Sequence, residues 1–339
     1  MSNTASYLDY DLKNVITKSK IKGLWRLMHG YHWKYIGAVI SLGISAGAKT
    51  STYLLLSFFI DEFFVADQRP VSLAVIAGGF VLLATIEGGF SFLSGRLAAE
   101  TAEGSTRRLR NYIYDHIQHL TFTYHDKMQT GELIQRSTSD VDALRKFFAD
   151  QAIGIGRIII LFAVNFAMIM TINVQLAFIS IIVVPIIVLT SFLFFKQVSK
   201  KYEAYQEQDA IVSTNLQENL SGVRVVKAFA RQSYEMDKFE KENWKKYVLG
   251  KRLLLMHSLF WPISDIVCGA QMIGGFYMGA IFAINGTISV GSYLAYVGML
   301  TWIIWPMRNL GRLIVQLSTG MVSFGRVLEI IKQEREPLD

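Results

Sequence analysis

Residues 153–195 read IGIGRIIILFAVNFAMIMTINVQLAFISIIVVPIIVLTSFLFF. Arg157 is the only charge in the stretch, and its main polar interruption falls around Asn173. About 20 residues of helix cross the hydrocarbon core of a bilayer, so a run of this length makes two spans, 153–172 and 175–195, with a turn between them. Backbone polar groups in lipid must be satisfied within their own segment, which makes the spans helices. A transmembrane barrel would need alternating strands of about ten residues, whereas these runs are continuous.

Working outward, four more runs qualify: 34–60, 71–95, 257–284 and 290–311. Three connections are short or modest: 61–70, the turn at Asn173, and Asn285–Ser289. Two are long, 96–152 and 196–256. Of the 34 Lys and Arg, only Arg69 falls in a short connection and only Lys49 lies well inside a span. The rest crowd the long connections, the termini and the adjoining span ends. The positive-inside rule then places both long connections and both termini in the cytoplasm, and an even number of spans agrees with that.

Composition agrees. Of 339 residues, 52% are hydrophobic and 18% charged, against about 25% charged in a typical soluble domain. This excludes a disordered chain, a disulfide-stapled secreted domain and an ordinary cytosolic enzyme. The single cysteine, Cys268, lies in an apolar run, so there is no internal disulfide and no C-x-x-C pair. Residues 1–33 carry Lys13, Lys18, Lys20, Lys22 and Arg26 without the apolar core of a secretory leader. Trp25, Arg26, His29, His32 and Trp33 suggest an amphipathic helix on the inner leaflet. The six histidines show no ligand spacing, so no metal site is expected. Asn285-Gly-Thr has the form of a glycosylation sequon, with nothing else to suggest a secretory route. The net charge of +7 follows membrane topology and does not form one face, which excludes a nucleic-acid binder.

The long connections read as helices. Segment 96–120 has no Pro and places Leu109, Ile113, Ile117 and Leu120 at helical spacing. Segment 196–220 is also Pro-free and rich in helix formers. Spans two to five are therefore expected to continue as helices far outside the bilayer, about 45 Å for thirty residues. They form two hairpin arms with tips near Thr123–Gly131 and Ala228–Asp237. Rigid arms suit coupling to a cytosolic partner; a purely structural stalk is the alternative.

Several pieces together resemble the transmembrane domain of ATP-binding-cassette exporters of the six-helix type, among them bacterial multidrug exporters and the lipid A flippase. They are Tyr124-His-Asp-Lys with Thr130-Gly-Glu-Leu and Ser139-Asp-Val-Asp, then Glu218-Asn-Leu-Ser-Gly-Val-Arg-Val-Val-Lys-Ala-Phe with Tyr234 and Phe239. Gly286-Thr-Ile-Ser-Val-Gly, Pro306 and Ser323-Phe-Gly-Arg-Val-Leu-Glu-Ile-Ile follow. The resemblance implies an all-α integral membrane fold in a domain-swapped homodimer, in a bacterial inner membrane. It implies an elbow helix within residues 1–33, a membrane domain over 34–330, and the start of a linker to a nucleotide-binding domain at 331–339. That domain would bring ATP and Mg. Neither G-x-x-x-x-G-K-[ST] nor four apolar residues ending in Asp-Glu occurs, so this polypeptide is not expected to hydrolyse ATP alone. Its end at Glu336-Pro-Leu-Asp suggests an excised domain over a separate subunit.

By the same resemblance the tips are coupling helices that seat in nucleotide-binding domains, with Tyr124, His125 and Asp126 on the first and Phe229, Arg231, Tyr234 and Glu235 on the second. The alternative is that these aromatics only pack the turns. Charges inside spans are functional suspects. Lys49 and Glu87 lie at similar depths, either as an ion pair or as lining of a substrate cavity. Asp265 in the fifth span poses the same choice, Arg308 counts among the cavity candidates, and Trp302 and Trp305, with Phe276 and Tyr277, offer aromatic surface to a hydrophobic substrate or to lipid. Arg157, Arg308 and Arg312 at inner span ends either snorkel to headgroups or bind an anionic group. Pro185 and Pro306 favour kinks. The expected function is outward movement of an amphipathic drug, lipid or peptide by alternating access. The rival class is a six-span channel or scaffold, but no polar pore stripe or re-entrant filter loop is present.

Overall fold

The structure, a computed structural model, describes residues 12–17, 19–65 and 71–336. Lys18, Arg69 and the linker residues 337–339 lie outside the described residues. A short turn, Leu12–Val15, precedes α1 (Lys20–Leu27) and α2 (His32–Ile60), which runs on through a wider π-helical turn, Asp61–Val65. Then come α3 (Leu73–Gln118), α4 (Phe122–Lys127), α5 (Thr130–Ser137) and α6 (Ser139–Lys146). A second π-helical turn, Phe147–Gln151, leads into α7 (Ala152–Ile172). The rest is α8 (Val174–Ile181), α9 (Val184–Ser221), α10 (Val223–Ala228), α11 (Gln232–Ile284) and α12 (Val290–Ile331). Among the described residues, six helical stretches are long and apolar enough to cross a membrane.

Local chemistry sets the junctions. Asn173 stops α7 and caps α8, its side chain accepting from Leu176 N at 3.0 Å. Ser289 caps α12 in the same way through Ser292 N. Between α11 and α12, Gly286 takes φ +70°, open to glycine without strain. The end of α2 is tied to the start of α12. Asp61 accepts from Gly291 N at 2.8 Å and from the Ser289 hydroxyl at 2.5 Å. A Cβ at Gly291 would lie 2.2 Å from the Ser57 carbonyl oxygen, so only glycine permits this approach.

One sequence expectation needs correction. The return from the first tip is not one helix but three steps, α5, α6 and a π-helical turn. Ser137, Thr138 and Ser139 at the first step are weak helix formers whose hydroxyls compete for backbone groups, and those of Ser137 and Thr138 bond back to Leu133 and Ile134 carbonyls. The kink expected at Pro185 is present as an interruption of the fourth span just before it. The chain breaks at Ile182–Val183, and Pro185 sits in the first turn of α9, where a missing N–H costs nothing. Pro306 lies inside α12, and Pro262, which the sequence reading passed over, lies inside α11.

The core has two main centres. One gathers Tyr296, Met299, Leu300 and Ile303 of α12 with Ile169, Leu176, Ile187 and Cys268. Polar cross-links stitch the same region, as backbone-poor lipid surroundings favour. Thr50 donates to Asn165 at 3.2 Å, Gln271 to the Ile179 carbonyl at 2.7 Å, and Ser180 pairs with the Tyr296 hydroxyl at 3.1 Å. The other centre lies at the arm end. There Leu24 and Leu27 of α1 pack with Leu109 and Ile113 of α3, Leu144 of α6, Phe148, and Phe324 and Val327 of α12. The segment before α2 is thus anchored to the arm, with Trp33 85% exposed beside it.

Candidate functional site

The first tip is α4. Its ring of apolar contacts is Leu120, Leu133 and Ile330, with Ile117, Tyr124 and Met128 around them. Tyr124 therefore turns inward, and burial pushes its phenol above the ordinary value. The His125 ring nitrogen Nε2 lies 3.1 Å from the Ile117 carbonyl, so this side chain folds back on α3. Asp126 is exposed. The aromatic that points outward is Phe122, 79% exposed, which the sequence reading did not single out.

Behind this tip the end of α12 is clamped to the arm. Arg326 grips the buried Asp140 carboxylate with two bonds, Nε to Oδ2 at 2.8 Å and a terminal nitrogen to Oδ1 at 2.5 Å. Arg136 bridges Glu132 at 2.5 Å and Glu329 at 2.9 Å. Arg335 reaches Asp115 at 2.7 Å and donates from Nε to His116 Nδ1 at 3.2 Å. That donation fixes the tautomer: Nδ1 accepts, and Nε2–H donates to the Ile330 carbonyl at 3.0 Å. Burial, aided by the nearby Arg335 charge, holds the His116 pKa below its ordinary value. The backbone of Glu336 then donates to the His119 carbonyl at 2.8 Å.

The second tip stands apart. α9 and α11 run together past Phe195 and Met256 as a two-helix arm, held by Gln208 to Glu242 at 2.8 Å and by the Lys246–Asp209 pair. The stretch 196–221 alone is about 39 Å of helix. At its end α10 rests on α9 and α11. Ala230 adopts φ +47° to turn the chain into α11. Phe229 is 74% exposed, and Tyr234 is exposed beneath the Arg231 guanidinium, 5.4 Å from its ring centre. Glu235 is not free for docking in the same way, since it accepts from Asn219 at 3.0 Å and ties the tip to α9.

The intramembrane candidates fall into two clusters that share α12. Lys49 Nζ lies 3.3 Å from Glu87 Oε1 and 4.6 Å from the Trp302 ring centre, joining α2, α3 and α12. Arg157 joins them in lining a cavity of about 170 Å³. In the second cluster Arg308, its side chain 7% exposed, donates to Asp265 at 2.5 Å and stacks 4.9 Å from the Trp261 ring centre, joining α11 to α12. Trp305 lies on α12, but its side chain is outside the described residues. Phe276 packs on the membrane-level core, whereas Tyr277 is exposed. Sequence reasoning had Asp265 and Arg308 as separate suspects; two opposite charges in neighbouring apolar spans were the signal for a pair.

Six apolar helices, two of them drawn out into an arm with an exposed tip, are the frame in which the match to known proteins falls. A family model, the ABC transporter transmembrane region, matches residues 35–307. The chain belongs to this family. It is an integral membrane protein. An ABC transporter ATP-binding protein of Bacillus subtilis (strain 168), YknU, is 25% identical over 313 residues, 91% of this chain and 53% of the relative. An ATP-dependent lipid A-core flippase of Syntrophus aciditrophicus (strain SB) is 24% identical over 315 residues, 91% of this chain and 51% of its own. A "probable multidrug resistance ABC transporter ATP-binding/permease protein" of Bacillus subtilis (strain 168), YheH, is 25% identical over 308 residues, 86% of this chain and 44% of the relative. The chain spans about half the length of the curated relatives it matches. Within this ABC transmembrane region, the pieces quoted from the sequence turn out to meet: Ser139-Asp-Val-Asp carries Asp140, and Ser323-Phe-Gly-Arg carries its partner Arg326.

Proposed function

We propose that this chain is the membrane half of an ATP-driven exporter that works as a pair of copies, with both arms and both termini in the cytoplasm of a bacterial inner membrane. Nucleotide-binding domains would hold ATP and Mg; the chain's own part is mechanical. The observation that carries this reading is the second tip, which presents exposed Phe229 and Tyr234 at the end of a helical arm too long for a simple return to the membrane. An aromatic anchor ringed by polar groups is a frequent interface centre. Phe229, Arg231 and Tyr234 would seat in one nucleotide-binding domain. Phe122 and Asp126 would face a domain at the first tip, with Tyr124, His125 and Glu235 holding the tips in shape.

The substrate would be an amphipath. Around Lys49 and Glu87 the cavity carries two cations, Lys49 and Arg157, against one carboxylate, and Trp302 supplies a flat apolar wall. That balance favours an amphipath with an acidic group, in keeping with the lipid A-core flippases among the relatives. The test is to join the chain to a nucleotide-binding domain and measure ATPase activity and vesicle transport with acidic, neutral and basic amphipaths. Acidic amphipaths should stimulate turnover most, and Phe229→Ala should lower transport while basal ATPase persists. Transport unchanged by Phe229→Ala would sink the coupling role; no response to any amphipath would sink the substrate class.

A further inference from the structure

A groove of about 360 Å³ runs along the α9–α11 pair, on a lining that contains none of the charged residues of either cluster. Its floor is Ile186, Thr190 and Phe194 on one side and Met256, Phe260 and Ile263 on the other. The floor runs from Ile186 to Phe194, eight residues and so about 12 Å of helix. All of it lies within the apolar segments of α9 and α11. Its walls are exposed: Ile186 is 53% and Ile263 59% accessible. A slot of this kind in a membrane-facing surface fits one acyl chain.

What lies at the arm-side end of the slot selects the lipid. Phe194 stacks on Phe260 with ring centres 4.0 Å apart, and Tyr205 touches the position of a Gly250 Cβ at 3.1 Å. These contacts set an antiparallel register in which Lys201 lies level with Leu253, next to Arg252. Both cations continue the groove stripes. Lys201 follows Phe194 by seven residues and Arg252 precedes Met256 by four, spacings that return to one helix face. The vertical offset is about 10 Å on α9 and about 6 Å on α11, within the combined reach of a lipid glycerol and long basic side chains. Lys200 and Lys251 crowd the same level. From Pro185 to Lys201, and from Gly250 to Ser264, there is no carboxylate at all. Lys201 and Arg252 are exposed and bridge to no acid among the described residues.

We propose that the α9–α11 groove is a binding site for one anionic phospholipid of the arm-side leaflet, with an acyl chain between Thr190 and Phe260 and the phosphate between Lys201 and Arg252. The site differs from the cavity offered to transported substrate, and it places a bilayer lipid at the root of the arm that carries the second tip.

The full chain in nanodiscs of phosphatidylcholine with a minority of phosphatidylglycerol tests this, with retained lipid counted by native mass spectrometry after transfer to detergent. The wild-type chain should keep one phosphatidylglycerol per copy. Lys201→Gln with Arg252→Gln should weaken retention about fivefold for each cation removed. Lys200→Gln with Lys251→Gln removes the same charge from off-stripe positions and should leave retention unchanged. Thr190→Trp fills the slot at an exposed position, keeps every charge, and should release the lipid. Equal losses in the two glutamine pairs would reduce the effect to general surface charge and overturn the site. Undiminished retention in Thr190→Trp would overturn the acyl slot. Cross-linking of Thr190→Cys to a second copy would show the groove to be a protein interface and overturn the proposal outright.

Discussion

Arg326 near the end of α12 holds Asp140 at the start of α6 through two hydrogen bonds, across 186 residues of chain. Asp140 is 2% exposed and Arg326 lies partly in solvent, so the pair sits at the edge of the arm-end core. Two nearly parallel bonds from a planar guanidinium fix angle as well as distance. Together with Arg136–Glu329 and Arg335–Asp115, the pair makes the first tip and the end of α12 one body. A displacement of either is then carried to the other.

Asp140→Asn should therefore destabilise the chain by about 2 kcal/mol, the scale of a lost charge-assisted bond at a buried acceptor. Arg326→Met should cost a similar amount, because it leaves a buried carboxylate alone. The double change should cost clearly less than the sum. Thermal unfolding of the four proteins in one detergent measures the coupling. Additive losses would mean that the two side chains do not depend on each other.

The tip aromatics should separate cleanly. Phe122→Ala should shift stability by no more than about 0.5 kcal/mol, since the ring is mostly in solvent. Tyr124→Ala should cost about 2 kcal/mol, less than the roughly 3–5 kcal/mol of a fully buried aromatic, because only part of its ring packs on Leu133 and Ile330. In a chain joined to its nucleotide-binding domain the order should reverse for coupling. Phe122→Ala should lower transport while the fold holds. A Tyr124→Ala protein as stable as wild type would show the tip aromatics misassigned.

Much of this was legible before any coordinates. The apolar runs were long enough to fix six spans, and Pro-free segments of helix formers gave both arms and the positions of their tips. Depth along two spans was enough to put Lys49 near Glu87. Long-range choice was not legible. Nothing in Ser139-Asp-Val-Asp says that Asp140 looks to residue 326, because helical spacing reports which face a side chain occupies, not what covers that face. The step at Thr138 was missed for a related reason. Local propensity there is weak, and packing against α12 decides where the helix breaks. Phe122 escaped notice because it precedes the quoted tip motif by two residues, and only the bend of α4 shows which of the two rings points out.

His116 gives the molecule a pH-sensitive joint. It lies in the part of α3 beyond the apolar segment, and its pKa in the folded chain is lowered, first by burial and then by Arg335. The unfolded chain therefore takes up a proton at a higher pH than the folded one. Stability from this group is fully present above about pH 6.5 and is lost as pH falls below it. Protonation also removes the Nδ1 lone pair that accepts from Arg335, so acid should loosen the segment Arg335–Glu336 from the arm. Limited proteolysis of the C-terminal segment between pH 7.5 and 5.5 should show faster cleavage in acid, and His116→Gln should flatten the profile. A profile unchanged by that substitution would place the proton elsewhere.

Lys49 and Glu87 offer the last test, and the prediction is an asymmetry. A lone charge among apolar spans costs about 2.5–3.5 kcal/mol near mid-membrane, so whichever partner remains decides the outcome. Glu87→Gln leaves Lys49 with the Trp302 ring at 4.6 Å, a cation–π contact worth about 1–2 kcal/mol when desolvated. Lys49→Met leaves Glu87 with only Arg157 of α7, which lines the same cavity but forms no ion pair with it in the folded chain. Lys49→Met should therefore lower the melting temperature more than Glu87→Gln, and the double change should recover part of the loss. Trp302→Ala should hurt Glu87→Gln more than it hurts the wild-type chain, because it removes the contact that compensates the unpaired lysine. Equal single losses that simply add would show that neither the ion pair nor the ring contact holds α2, α3 and α12 together.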